Sequence, residues 1–130
     1  MGRHVSVVAA LLLAGCAWHG PVPAQTYPGI EPTANVVTLD RAAYKLVAVK
    51  NQVVARRDDG LLNVRLELVN LSAKDLAVQI QTLFRDSTNM PSGEDTPFEM
   101  VVLPGGGYHM YEVTSLRADA ASYTVQIKTP

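Results

Sequence analysis

Two stretches of this chain place an apolar side chain at every second residue. Val64, Leu66 and Leu68 alternate with Asn63, Arg65 and Glu67; Leu76, Val78, Ile80 and Thr82 alternate with Ala77, Gln79 and Gln81, and Phe84 extends the inward set. This period belongs to strands with one wet and one dry face, because successive side chains leave a pleated backbone on opposite sides. A sheet of such strands must cover its dry face. No segment has the pattern of a helix of ordinary length, so the cover has to be a second sheet.

Further strands fit that reading. Tyr44 to Arg56 is marked by Leu46, Ala48, Val53 and Val54, and turns through Arg56-Arg57-Asp58-Asp59-Gly60, where Asp-Gly is a strong hairpin signal. Phe98–Leu103 and Tyr108–Thr114 flank the breaker Pro104-Gly105-Gly106-Gly107, and Tyr123, Val125 and Ile127 share one face of Tyr123–Lys128. Residues 116–121 leave room for one or two helical turns at most. Short strands with regular turn signals predict an all-β fold, an immunoglobulin-like β-sandwich of about six or seven strands. Phe84 and Tyr123 are its expected aromatic core, and Phe84→Ala should cost roughly 3–5 kcal/mol.

The single cysteine constrains the fold and the address together. Cys16 closes Leu11-Leu12-Leu13-Ala14-Gly15-Cys16, behind a basic start (Arg3, His4) and an apolar run from Val5 to Leu13 interrupted by Ser6. The run has signal-peptide length and falls short of the ~20 residues that span a bilayer. With Leu13, Ala14 and Gly15 before the cysteine, the segment resembles the lipobox of bacterial lipoproteins. That resemblance implies acylation of Cys16 and cleavage in front of it. Rival readings are a buried structural cysteine, an ordinary secretory signal cut after Ala24, and myristoylation at Gly2 with Ser6 in place. None of them explains an apolar run ending in small residues and a cysteine.

The expected organisation is a signal peptide over 1–15, a lipidated cysteine and Pro/Gly-rich flexible tether over 16–35, and the sandwich over 36–130. Gly20, Pro21, Pro23, Pro28, Gly29 and Pro32 punctuate the tether. If free from Ala17 to Pro32 it would reach about 50 Å fully extended. Several acyl chains on one residue, at about 0.8 kcal/mol per buried methylene, would anchor the protein without a transmembrane helix. Ala17 follows the cysteine where inner-membrane lipoproteins commonly carry aspartate. By that resemblance the anchor lies in the inner leaflet of the outer membrane, with the domain in the periplasm.

Composition narrows the function classes. Without Arg3, the eleven basic side chains become ten against twelve acidic, a net charge of −2. No basic patch suggests nucleic acid. Acylated Cys16 leaves no thiol for a disulfide, and few histidines and no free cysteine argue against a structural zinc site. The expectation is no metal and no cofactor beyond the covalent lipid on Cys16.

Several segments also resemble the YcfL-like family of small bacterial lipoproteins: Leu62-Asn63-Val64-Arg65-Leu66-Glu67-Leu68-Val69-Asn70, Gln81-Thr82-Leu83-Phe84-Arg85-Asp86, Leu103-Pro104-Gly105-Gly106, Val113-Thr114-Ser115-Leu116 and Tyr123-Thr124-Val125-Gln126-Ile127. The resemblance covers about half the chain and is built from strand and turn residues, with no catalytic signature. It implies an immunoglobulin-like envelope lipoprotein of unassigned function. Arg85 departs from the pattern, since the family often has a second aromatic between the phenylalanine and the aspartate.

Individual candidates have bland competitors. The Pro104–Gly107 breaker lacks the Lys-Ser/Thr and helix that a phosphate loop needs. His109 has no serine or cysteine motif beside it and is expected on the solvent side. Ser115 lacks a Gly-x-Ser-x-Gly context. Asp58-Asp59 and Glu94-Asp95 sit in polar turns without calcium-loop spacing, and Asn70-Leu71-Ser72 is a glycosylation sequon of little meaning in a bacterial lipoprotein. The better candidates are contact residues. Tyr108 and Met110 share one strand face and His109 and Tyr111 the other, so that one tyrosine could be core and the other exposed, while Val69, Leu71 and Leu83 fall on polar phases. Tyr108, Tyr111 and Leu83 are thus the expected partner-binding residues. The expected function is a non-enzymatic envelope lipoprotein that binds another envelope protein. The alternatives are an accessory lipoprotein of a secretion or conjugation machine, and a carrier of a small apolar ligand.

Overall fold

The computed structural model describes residues 21–30 and 35–130. Its elements are β1 (Val22–Pro23), β2 (Gln25–Thr26), β3 (Val36–Thr38), α1 (Arg41–Leu46), β4 (Val47–Arg56), β5 (Leu62–Asn70), β6 (Leu76–Arg85), β7 (Glu99–Leu103), β8 (Tyr108–Thr114) and β9 (Ser122–Lys128). A five-stranded sheet in the order β1-β3-β9-β6-β7 packs on a four-stranded sheet in the order β2-β4-β5-β8. The chain is an all-β sandwich, as the alternation requires.

The predicted inward residues fill the space between the sheets. Val64, Leu66, Leu68, Val78, Ile80, Val125 and Ile127 are fully buried, and Phe84 lies opposite Tyr123 in the β6–β9 pair with both rings inside. Aliphatic and β-branched side chains suit a gap of about 10 Å between sheets, so two aromatic rings suffice at this end. Gln52 reaches inward from β4 and donates to the Tyr123 hydroxyl.

Three features differ from expectation. Residues 41–46 form a short helix instead of the start of a strand, while residues 116–121 contain none. Asp40 caps this helix, its carboxylate accepting from Ala43 N at 2.8 Å, and Ala42, Ala43 and Lys45 are good helix formers. Val47 then continues directly into β4.

The second difference is a bulge in β4. Register against β5 shifts between Val49 and Asn51, so Lys50 is an extra residue. Val47 and Val49 are on the inward phase before it, and Gln52 and Val54 after it, Val54 lying exposed toward the end of the strand. Ala48 and Val53, two of the residues that mark this strand in the sequence, therefore face the other side.

The third concerns the tether. Residues 22–26 are part of the sandwich: β1 pairs with β3 and β2 pairs with β4, one link in each sheet, and Ala24 between them is buried. Ala24 N donates to Val36 O at 2.9 Å and Tyr27 N to Val49 O at 3.0 Å. The free tether expected over 16–35 is thus replaced, over Val22–Thr26, by strands that bridge both layers. Pro23 is compatible because β1 is an edge strand, where a missing N–H is tolerated.

Candidate functional site

The end of the sandwich near Tyr108 is built from two loops locked to each other. Asn70, buried at the end of β5, donates from Nδ2 to Lys74 O at 2.7 Å and Leu103 O at 3.0 Å. Its Oδ1 accepts from Ser72 N and Ser72 Oγ. All the polar capacity of a buried amide is used to tie residues 70–75 to the end of β7. Gly106 N reaches Ser72 O at 2.7 Å, Gly105 N reaches the Asp75 carboxylate at 2.9 Å, and Asn70 N reaches Gly107 O at 2.9 Å. The glycines serve this turn, and no helix follows them to aim amides at a phosphate.

Strand β8 leaves this clamp with its faces fixed by register. His109, Tyr111 and Val113 lie opposite Leu68, Leu66 and Val64 and share their inward side, whereas Tyr108, Met110 and Glu112 lie opposite Val69, Glu67 and Arg65 and point outward. Tyr108 is 61% exposed and Met110 50%. Leu71, also exposed, stands just past Val69 and is held by Leu71 N donating to Leu46 O at 2.8 Å. An aromatic, a thioether and a leucine thus share one outer face on a hydrogen-bonded scaffold.

The other expected contact residues separate. Tyr111 is buried, and its hydroxyl meets Thr82 Oγ1 at 2.7 Å. It is a core residue and no contact residue, because its strand phase is that of Leu66. Burial pushes its phenol pKa above the ordinary value, partly opposed by the Thr82 hydrogen bond. Leu83 is half-buried on the outer face of the opposite sheet, beside Thr124, so it shares no surface with Tyr108. Val69 is outward in phase yet buried. His109 is also corrected: it is half-buried on the inward phase of β8 instead of facing solvent.

A second apolar strip lies on the outer face of the five-stranded sheet. Met100 and Val102 of β7 are exposed, and Lys128 Nζ sits 4.2 Å from the centroid of the Phe98 ring. Both strips border the same side of the sandwich, where β7 and β8 end their respective sheets.

The polar candidates have structural roles. Ser115 Oγ accepts from Leu62 N and donates to Arg117 O, both at 2.9 Å. Glu94 Oε2 accepts from Leu116 N at 3.0 Å, and Asp59 accepts from Leu61 N and pairs with Arg57 at 3.2 Å. Among the described residues no group of three or more His, Cys, Asp or Glu side chains is placed to hold a metal ion. No helix among them is long and apolar enough to cross a membrane. Leu13, Ala14, Gly15 and Cys16 lie outside the described residues.

No protein-family model matches the chain, and no curated protein matches it. Solved structures do. The Campylobacter jejuni protein cj0090 aligns over 75% of this chain and 100% of its own, with a TM-score of 0.65 and 15% identity. A DUF1425 family member from a Shewanella species aligns over 86% of this chain and 97% of its own, with a TM-score of 0.58 and 16% identity. The chain is similar to these small bacterial proteins in fold.

Proposed function

We propose that the chain is a non-enzymatic cell-envelope lipoprotein whose sandwich acts as a protein-interaction module. The observation that carries this reading is the outward face at Tyr108, Met110 and Leu71, apolar groups exposed on a platform rigidified by Asn70 and the 104–107 turn. Exposed aromatic and methionine side chains are enriched at protein contacts, and here the backbone beneath them is already ordered, which spares the cost of fixing a loop on binding. The segment Leu13-Ala14-Gly15-Cys16 supports attachment through lipid on Cys16, and Ala17 supports the inner leaflet of the outer membrane as its place. The strand and turn segments resembling YcfL-like lipoproteins favour the same setting.

The test is co-purification of the acylated chain from detergent-solubilised envelopes, with Tyr108→Ala as the comparison. The reading expects a discrete envelope protein retained by wild type and lost with Tyr108→Ala. Recovery of a secretion or conjugation core would favour the accessory-subunit alternative. Capture insensitive to Tyr108→Ala, or a hydrolytic activity abolished by one side-chain change, would sink the proposal. The ligand-carrier alternative is weaker, because Phe84, Leu66, Leu68, Ile80 and Tyr123 already occupy the interior where an apolar ligand would sit.

A further inference from the structure

The outer edge of β8 carries backbone hydrogen-bonding groups with no partner. Ser115 N donates to Leu62 O and Asn70 N to Gly107 O, which fixes the odd-numbered residues of this stretch as those bonded to β5. The N–H and C=O groups of Tyr108, Met110 and Glu112 therefore point away from the sheet, by the alternation of antiparallel pairing. Strand β8 is the last in its sheet, and among the described residues nothing else bonds these groups.

Edges of this kind are normally blunted by proline, lysine, a bulge or shortness. The other edges show such devices: β1 contains Pro23, β2 has two residues and the length of β4 left uncovered beyond it starts at a bulge at Lys50 and ends in Arg56, and β7 has five residues. Strand β8, Tyr108-His109-Met110-Tyr111-Glu112-Val113-Thr114, has seven residues and no proline, lysine or glycine, and its register with β5 has no shift. It is an unguarded edge.

We infer that β8 pairs antiparallel with β8 of a second copy of this chain, about a two-fold axis at Met110. Three observations select that occupant. First, this register sets Tyr108 opposite Glu112 of the second copy and Met110 opposite its own equivalent, so every unpartnered group of these residues meets an unpartnered group. Second, the one charged side chain of the strand, Glu112, faces a tyrosine and never its own equivalent, and the phenol can donate to the carboxylate. Third, the two exposed Met110 side chains meet at the axis with a Tyr108 diagonal to each, covering apolar surface that is open in the single chain. A foreign strand would have to supply an apolar residue opposite Met110 and a hydrogen-bonding one opposite Glu112, which the chain already provides itself.

The experiment measures the solution mass of the chain from residue 16 onward carrying Cys16→Ser, which leaves out the apolar segment Val5–Leu13, acylation and the native thiol. The expected species has twice the protomer mass and dissociates on dilution. Met110→Lys and Met110→Pro should each weaken it at least tenfold. The second removes an N–H that serves no bond within the protomer, so circular dichroism should stay unchanged. In the same background, Met110→Cys should give an intermolecular disulfide under mild oxidation, and Val102→Cys, exposed on β7, should not. A monomer at the highest soluble concentration would overturn the inference, as would a dimer indifferent to Met110→Lys or equal cross-linking through Val102→Cys. A monomer that still captures an envelope protein through Tyr108 would overturn this pairing alone and leave the interaction-module reading intact.

Discussion

The hydroxyls of Thr82 and Tyr111 meet at 2.7 Å inside the sandwich, one from each sheet. Both residues are buried; the Thr82 hydroxyl depends on Tyr111 for its hydrogen bond, while the Tyr111 hydroxyl also meets the Thr96 side chain. Tyr111→Phe should therefore cost about 1–2 kcal/mol, because the Thr82 hydroxyl is left buried and poorly paired. Adding Thr82→Val should recover part of that loss. Urea unfolding of the two single variants and the double variant measures it; strictly additive losses would show that the hydroxyls do not act as a pair.

The same burial gives the fold an alkaline limit. Desolvation raises the pKa of Tyr111, and of Tyr123 in its contact with Gln52, above the ordinary value near 10. In the unfolded chain both phenols ionise first, so the folded state binds more protons. Stability should be full below about pH 10 and fall as pH rises through the folded values. Melting temperature against pH checks this, and Tyr111→Phe should flatten the alkaline decline.

Asp40 joins the helix to the end of the chain. Beyond capping Ala43, its carboxylate accepts from Thr129 N and Thr129 Oγ1, both at 2.8 Å. Burial pushes its pKa up, but these hydrogen bonds and nearby Lys128 outweigh it, and the group titrates below the ordinary carboxylate value. Its contribution is present above the unfolded pKa and is lost as pH falls through the folded one. Asp40→Ala should cost about 1–2 kcal/mol and reduce the loss of stability in acid. An unchanged acid profile would contradict this.

Adjacent glycines in the 104–107 turn should respond differently to alanine. A Cβ on Gly105 would lie 2.2 Å from Ala73 O, a backbone atom that moves only if the clamped loop moves. A Cβ on Gly106 meets open space, but its φ of 67° disfavours a side chain. Gly106→Ala should cost about 1 kcal/mol from backbone conformation, and Gly105→Ala distinctly more. Thermal unfolding ranks them, and the reverse order would mean the clamp is soft.

Cys16→Ser should release or mislocalise the protein while leaving the sandwich folded. Fractionation together with circular dichroism tests both halves. Membrane retention equal to wild type would remove the lipid from the proposal.

The period-two runs made β5, β6 and β9 legible, because strands buried on one side leave no other reading for Val64, Leu66 and Leu68 or for Val78, Ile80 and Phe84. The hairpin at Asp59-Gly60 was equally plain: Gly60 takes a φ of 87° there. What escaped was short or out of phase. The six residues of α1 offer little periodicity, and only Asp40 and the Ala42-Ala43 pair announced them. One extra residue, Lys50, resets the alternation of β4, and no local pattern reveals a bulge. At the site, Tyr108 and Tyr111 were separable in principle, since Tyr111 shares its phase with Val113 while Tyr108 shares its phase with Glu112. Leu83 was misplaced because strand phase says which face a residue occupies but not which sheet lies behind it.

The bridging of both sheets by Val22–Thr26 sets the length of the leash. If lipid on Cys16 holds the chain, only five residues, and so six Cα-to-Cα steps, separate the anchor from Val22, whose carbonyl accepts from Thr38 Oγ1. Fully extended they span about 20 Å, against about 50 Å for a tether free to Pro32. Since swept volume grows as the cube of reach, the domain would search a space roughly fifteenfold smaller. A partner would then have to come to the bilayer surface to be met, and the effective concentration of one anchored copy near another would rise in the same proportion.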